Sequence, residues 1–258
     1  IDSQKLEKNL RRAKDRAAKL GVAFRPHLKT HKSIGIALRQ MTTPQGPATV
    51  STLAEARYFG ARGVTDLIYA VGIAPQKLAE VSRLRSLGAD IKIILDSAEA
   101  ARAVSAFCRR EKTTIPVLLE IDVDGHRSGI RPDGAELLPA AAALADGAEL
   151  VGVLTHAGDS YECKSTAEIE AAAEAERAGI VLAAERLRAA GHTVKIVSAG
   201  STPTLMFAKD EKTQNTLRDN WHNIVTDRRY VAVVAGEMEN NAGMVRSWLT
   251  DRKLYVYS

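Results

Sequence analysis

Short apolar runs alternate with stretches whose apolar positions recur every three or four residues, from the amino terminus to about residue 208. The runs at 22–25, 48–51, 66–70, 91–95, 116–121, 150–154 and 193–198 predict strands. The stretches at 33–41, 53–61, 75–87, 98–110, 135–145, 166–190 and 203–208 predict the helices between them, with a further helix over 6–19 ahead of the first strand. Ser51 and Ser97 stand where helix N-caps belong, and Gly88 and Gly191 stand where helices should stop. Seven strand-then-helix units demand a parallel sheet with crossover helices, because parallel neighbours cannot be joined by a tight turn. A spacing of 25–40 residues per unit fits an α/β fold of the (β/α)8 TIM-barrel type at least as well as an open doubly wound sheet.

Beyond Ala208 the rhythm fades. Residues 209–220 are polar, 230–235 is the one convincing later strand and takes the place of an eighth barrel strand, 236–243 reads as loop, and 248–257 is either a strand or a tail. The expected organisation is therefore a (β/α) barrel over 1–208 and a short segment over 209–258 that closes the barrel. Composition narrows the class further. Hydrophobic content of 45% and charged content of 26% are ordinary for a soluble globular chain, and aromatics at 5% with abundant alanine favour packed helices over a sandwich. The net charge of +5 comes from basic residues that alternate with acidic ones along 6–19, the pattern of a solvated helix face rather than a nucleic-acid stripe. Two cysteines, Cys108 and Cys163, make no disulfide framework and point to a reducing cytoplasm. No apolar run is long enough to span a bilayer, and no signal peptide is visible. Ile1-Asp2-Ser3 leads straight into a helix, so a short leading segment is expected ahead of it. Neither nucleic acid nor membrane is an expected partner.

In such barrels chemistry sits at the carboxyl ends of the strands, and unusual polar residues gather there. The first strand runs into His27-Leu28-Lys29-Thr30-His31-Lys32, and the fifth into Asp122-Val123-Asp124-Gly125-His126-Arg127-Ser128-Gly129. The sixth runs into Thr155-His156-Ala157-Gly158-Asp159-Ser160-Tyr161, and the seventh ends in Ser198-Ala199-Gly200-Ser201-Thr202-Pro203. A lysine among other cations has a lowered proton affinity, which makes it a nucleophile able to form a Schiff base with pyridoxal phosphate (PLP). The plain alternative is a basic surface loop. Gly200 permits close backbone approach to an anion, Ser201 and Thr202 add hydroxyls, and Pro203 begins a helix; a capped strand-to-helix turn is the ordinary alternative. Arg127 offers a donor fork to a cofactor oxygen or is a loop arginine. Tyr161 bonds a ring nitrogen, closes over a cofactor, or is a half-buried lid residue. Asp122 and Asp124 are turn formers rather than metal ligands, since no histidine stands at metal-like spacing from them.

Taken together, Arg25-Pro26-His27-Leu28-Lys29-Thr30-His31-Lys32, Glu120 to Gly129, Thr155 to Tyr161 and Ser198 to Thr204 resemble the D-threonine aldolase and D-serine dehydratase family, whose members share the alanine-racemase-like PLP fold. The resemblance implies Lys29 as the Schiff-base lysine, with Gly200, Ser201 and Thr202 on the phosphate, Arg127 toward the phenolic oxygen and Tyr161 near the pyridine ring. His27 joins the cofactor-binding set, and His156 is the candidate general base. The implied activity is that of a lyase on a D-configured 3-hydroxy amino acid. Breaking Cα–Cβ gives glycine and an aldehyde, whereas removing the Cα proton and losing hydroxide gives a keto acid and ammonia. The family also carries a carboxyl-terminal β domain, which completes a homodimer's sites and holds a divalent metal through His-x-Cys or His-x-Asp. Here some fifty residues follow Ala208, and His222 is followed by Asn223 and Ile224, so that ligand pair is not matched. A single-barrel PLP carrier and an inactive truncated family member are the alternatives, with 209–258 expected as barrel closure and a remnant or diverged form of the carboxyl-terminal segment.

Overall fold

All seven residues of the segment Ile115–Ile121 are buried, and five of the six in Asp90–Leu95. Strands sealed on both faces belong inside a layer of helices, which is where parallel sheets occur. The computed structural model describes residues 2–20, 22–208 and 229–232. It runs α1 (Ser3–Leu20), β1 (Ala23–Pro26), α2 (Ile34–Gln40), β2 (Ala48–Val50), α3 (Leu53–Gly60), β3 (Asp66–Gly72), α4 (Leu78–Ser86), β4 (Asp90–Leu95) and α5 (Ala98–Glu111). There follow β5 (Ile115–Ile121), α6 (Leu137–Ala142), β6 (Ala148–Thr155), α7 (Thr166–Ala189), β7 (Ile196–Ser198), α8 (Thr202–Phe207) and β8 (Arg229–Ala232). Strands β2 to β7 lie in sequence order in one parallel sheet. Strand β1 pairs in parallel with β8 and reaches β2 through the His27–Thr49 bridge and a 2.9 Å bond from Leu28 N–H to the Thr49 carbonyl. Since β8 also lies beside β7, the row curls round on itself as a barrel.

Side chains divide by strand parity, as a period of two requires. Leu67, Tyr69, Ile91, Ile93, Val117 and Leu119 pack outward against helix residues such as Phe59, Val81, Leu84 and Val104. Ile68, Ile94 and Leu118 instead join Leu154 and Ile196 in a separate cluster that contains no helix residue, the inner face of the curl. Below that apolar layer lies a charged floor. Arg25, with no exposed surface, donates to the Ala48 carbonyl at 3.0 Å and to both oxygens of Asp66 at 2.8 and 2.9 Å. Lys92 bonds Asp66 at 3.1 Å and Asp90 at 2.7 Å. Asp66 and Asp90 open β3 and β4, so the floor occupies the amino ends of the strands.

The predicted elements are present with shifted ends. The expected N-cap Ser51 is replaced by its neighbour: Thr52 Oγ1 accepts the Glu55 N–H at 3.0 Å, while the Ser51 hydroxyl turns to His27. Ser97 does cap α5. The helix expected over 75–87 begins with a 3-10 turn at Pro75–Lys77, and that expected over 135–145 narrows to Leu137–Ala142. There Ser105 of α5 binds the Ala143 carbonyl and the Ala145 N–H, ending α6 from outside. The strand expected over 193–198 narrows to Ile196–Ser198, with the Val194 carbonyl taken by Arg188 at 2.9 Å. The polar stretch 209–220, His222, the loop at 236–243 and the strand or tail at 248–257 lie outside the described residues. Among the described residues no helix is long and apolar enough to cross a membrane. Replacing Asp66 with alanine leaves Arg25 and Lys92 buried without their shared carboxylate, so urea unfolding should show a loss of about 3 kcal/mol or more. An unchanged midpoint would contradict the role of the floor.

Candidate active site

The chain leaves β1 through His27, Leu28 and Lys29, and the backbone fold there fixes an imidazole. His27 Nδ1 accepts the Lys29 N–H at 3.3 Å, which places the ring proton on Nε2, 3.2 Å from Ser51 Oγ. Burial, reinforced by the charge of Lys29 and by His156, holds His27 down to about 3. The Lys29 amine makes no hydrogen bond or ion pair among the described residues. Desolvation first and Arg127 second lower its proton affinity, while Glu55 opposes them. The rest of the basic motif is anchored elsewhere. His31 is held by Gln40 at 2.9 Å and by the Ser33 N–H, and Lys32 pairs with Glu55 at 3.2 Å.

Beyond β5, Asp122 Oδ1 accepts the N–H groups of Asp124 at 3.3 Å and Gly125 at 2.8 Å, so Asp122 builds the turn. The loop returns to its own strand through Ile130 N–H to the Glu120 carbonyl and Asp122 N–H to the Ile130 carbonyl. Gly129 makes this return at φ +125°, where a Cβ would stand 2.5 Å from the Asp122 nitrogen. The buried Glu120, its carboxyl raised chiefly by desolvation, accepts the Ser128 hydroxyl at 2.9 Å. Arg127 is thereby held at the barrel mouth, close enough to the β6 loop that a Cβ on Gly158 would lie 3.5 Å from its Cδ. His126 and Asp159, 2.6 Å apart, clasp the two loops on the outside.

Strand β6 delivers His156. Its Nδ1–H donates to the Gly200 carbonyl at 2.9 Å, which leaves Nε2 with a free lone pair. Desolvation is the main reason that His156 falls to about 4; Arg127 and Lys29 add to the effect and the Gly200 bond resists it. The half-exposed Tyr161 ring lies 6.0 Å from the His156 ring, and its hydroxyl accepts the Thr202 N–H at 3.3 Å. Ser201 caps α8 in a capping box with Thr204. The Gly200 N–H is turned inward to Glu176, and the Ser201 N–H to Thr204 Oγ1 at 3.0 Å. The structure therefore joins Lys29, His27, Arg127 and His156 through their mutual charge effects. It ties Gly200, Ser201, Thr202 and Tyr161 to that group through His156.

Glu176 was absent from the sequence reading. It sits on α7 with Oε1 accepting the Ala157 and Gly200 N–H groups at 2.9 and 3.1 Å, and with Oε2 2.6 Å from Thr204 Oγ1. Burial pushes its carboxyl up to about 7. The available signal was its place in the stripe Ala173, Glu176, Ile180, Ala183, Leu187, where helical spacing puts an acid on the apolar face. Among the described residues no three His, Cys, Asp or Glu side chains cluster as metal ligands would.

The family of the alanine racemase N-terminal domain matches residues 1–218. D-threo-3-hydroxyaspartate dehydratase of Delftia sp. (strain HT23) is 48% identical over 210 residues, 81% of this chain and 55% of the relative. D-serine dehydratase of Dictyostelium discoideum is 29% identical over 203 residues, 73% of this chain and 51% of the relative. The solved structure of the Delftia sp. HT23 enzyme superposes with a TM-score of 0.82 at 43% identity, covering 91% of this chain and 59% of that one. D-threonine aldolase from Filomicrobium marinum superposes at 0.73 with 24% identity, over 90% and 60% of the two chains, a likeness of fold. The chain spans about half the length of these curated relatives.

An unfolded histidine takes up a proton near 6.5, whereas folded His27 does so only near 3. The unfolded state therefore binds the extra proton between those values, and folding stability must fall as pH drops through that window. The melting temperature should decline between pH 7 and pH 4, and His27→Gln should make the decline shallower. Parallel curves for the two proteins would contradict a buried neutral His27.

Proposed function

Because the chain belongs to the alanine-racemase-like family of fold-type III PLP proteins, we propose that it serves a PLP-dependent lyase acting on D-configured 3-hydroxy amino acids. The observation that carries this reading is the Lys29 amine at the carboxyl end of β1, without an ion-pair partner among the described residues and under the field of Arg127. The donor set suits the cofactor. Two cations, Lys29 and Arg127, face two neutral imidazoles, and none of the four forms an ion pair with a carboxylate among the described residues, so an anionic ligand would complete the charge balance.

Lys29 would hold the cofactor covalently, Arg127 would present its guanidinium to an oxygen on the ring, the Gly200-Ser201-Thr202 corner would take the phosphate end, and Tyr161 would lie near the pyridine ring. When bound, PLP supplies an electron sink for a bond broken at Cα. The chain's own contribution is two nitrogens, His156 Nε2 and Lys29 Nζ, and their placement. His156 Nε2 has its lone pair directed away from Gly200 and suits removal of a proton from a substrate hydroxyl, the start of Cα–Cβ cleavage. Lys29 Nζ, lowered from the ordinary lysine range, suits removal of the Cα proton, the start of dehydration. The 48% identity to a D-threo-3-hydroxyaspartate dehydratase makes that amino acid the first substrate to assay.

Borohydride reduction of the protein with PLP, followed by peptide mapping, should give a phosphopyridoxyl adduct on Lys29. Lys29→Ala should abolish the adduct and lower turnover of D-threo-3-hydroxyaspartate, D-serine or D-threonine by about a thousandfold or more. Assays with and without added divalent metal, scored for keto acid and ammonia against glycine and aldehyde, separate dehydration from cleavage. Labelling at another lysine would overturn the assignment. An adduct on Lys29 without turnover of any of the three would favour a PLP carrier.

A further inference from the structure

The turn that carries Lys29 is gripped at both ends by one carboxylate. Glu55 stands in the first turn of α3, where Thr52 Oγ1 accepts its N–H at 3.0 Å. In a capping box such a glutamate returns its side chain to the N–H of the N-cap residue itself. Here it passes Thr52 by: Oε2 accepts the Ser51 N–H at 2.8 Å, and Oε1 meets the Lys32 ammonium at 3.2 Å. The Glu55 side chain is 7% exposed and that of Lys32 62%, so the carboxylate is enclosed and the lysine reaches it from the solvent side.

Each contact leads to Lys29. Through Ser51, Glu55 fixes the residue whose Oγ lies 3.2 Å from His27 Nε2, and His27 Nδ1 in turn accepts the Lys29 N–H. Through Lys32 it fixes the far end of the turn, where the Lys32 N–H donates to the Leu28 carbonyl at 3.0 Å. Lys32 holds φ at +49°, a left-handed conformation disfavoured for a residue with a Cβ, and the turn keeps it only because something outside holds it. The charge of Glu55 reaches the amine as well. Arg127 acts on Lys29 from the β5 loop, and the neutral His27 and His156 face it from the ends of β1 and β6. On its own turn His31 and Lys32 are taken by Gln40 and Glu55. Among the described residues Glu55 is the carboxylate that acts on Lys29, and it opposes Arg127.

We propose that Glu55 is a positioning residue for Lys29, clamping the His27–Lys32 turn at Ser51 and at Lys32 and setting a negative charge against Arg127 beside the amine. The inference rests on the reading of Lys29 as the lysine that takes the PLP aldehyde. A plain helix cap accounts for the Thr52 and Ser51 bonds, but not for the reach to Lys32 or the charge at Lys29. An amide in place of the carboxylate still accepts the Ser51 N–H through its oxygen, but gives up the ion pair and the charge. Loss of the Lys32 ammonium has the converse effect, because Glu55 then keeps its charge with no cation to offset it. The two substitutions move the protonation of Lys29 in opposite directions, which a loosened turn or a weakened cap does not do.

The test follows the rate of PLP loading by visible absorbance on the purified protein across the range from about pH 6 to about pH 10, which brackets a lysine lowered from its ordinary value. Borohydride reduction and peptide mapping confirm which lysine is loaded. The rate rises with pH as Lys29 loses its proton, then levels off. Relative to the wild type, the midpoint of the rise should lie about one pH unit lower in Glu55→Gln and about half a unit higher in Lys32→Met. The level reached at high pH should fall about fivefold or more in both, since the amine is no longer held in one place. Midpoints that stay put or move in the same direction, or a high-pH rate that does not fall, would overturn the proposal and leave Glu55 a helix cap. If Glu55→Gln does not fold, the direction of the Lys32→Met midpoint decides the matter alone. A wild type that shows no absorbance change, or an adduct on another lysine, would overturn the PLP reading itself and is seen before any variant is compared.

Discussion

A parallel strand covered on both faces can carry polar side chains only where a partner is fixed or where the strand ends. That constraint sorts this barrel from bottom to top. At the amino ends Arg25, Asp66, Lys92 and Asp90 satisfy one another. In the middle Ile68, Ile94, Leu118, Leu154 and Ile196 admit no polar atom. At the carboxyl ends, the last residues of β5 and β7 and those just beyond β1 and β6 bring Glu120, Ser198, His27 and His156 to the rim. The site therefore owes its assembly to the sealing of the strands more than to any attraction among its members, several of which repel.

That repulsion has chemical value. Beside the larger effect of burial, Arg127 makes it harder for Lys29 and His156 to hold a proton, Lys29 does the same to both imidazoles, and His156 to His27. The result at neutral pH is two imidazoles without charge and a lysine lowered from its usual range, the state in which nitrogen acts as nucleophile or base. Fixed geometry does the rest. The Lys29 N–H and the Gly200 carbonyl select opposite tautomers in the two rings, so His27 points its proton at Ser51 while His156 keeps its Nε2 lone pair. A loop that satisfies an imidazole at Nδ1 decides what Nε2 can do.

The strand-and-helix rhythm was legible because the apolar runs are short, are rich in Val, Ile and Leu and alternate with alanine-rich stretches of helical spacing, and with it came the carboxyl-end location of Lys29, His156 and the Gly200 turn. What escaped the sequence depended on choices made in three dimensions. Ser51 and Thr52 are equally good caps as residue types; His27 engages the Ser51 hydroxyl, and so Thr52 caps the helix. His31 and Lys32 share a motif with Lys29 yet are drawn to Gln40 and Glu55. Glu176 is one of many glutamates on a long alanine-rich helix, and only the arrival of Ala157, Gly200 and Thr204 from distant segments distinguishes it.

The titrations of these groups oppose one another. The folded histidines bind protons less readily than unfolded ones, so their contribution to stability is present above about pH 6.5 and is lost as pH falls toward 4 and 3. Folded Glu176 binds its proton more readily, so its contribution is present below the ordinary carboxyl range and is lost as pH rises through about 7. Acid weakens the β1 and β6 ends through the imidazoles, and alkali weakens the α7 bracket through the carboxyl. Both limits bear on the same turn, because His156 and Glu176 grip Gly200 from its two sides, one at the carbonyl and one at the N–H. The two bonds to Gly200 themselves favour the charged forms, so what makes the imidazole lose its proton and the acid keep one is burial, and it opposes the bonds at both groups. The depth of burial of the two groups therefore sets the acid limit and the alkaline limit between which this turn is most stable.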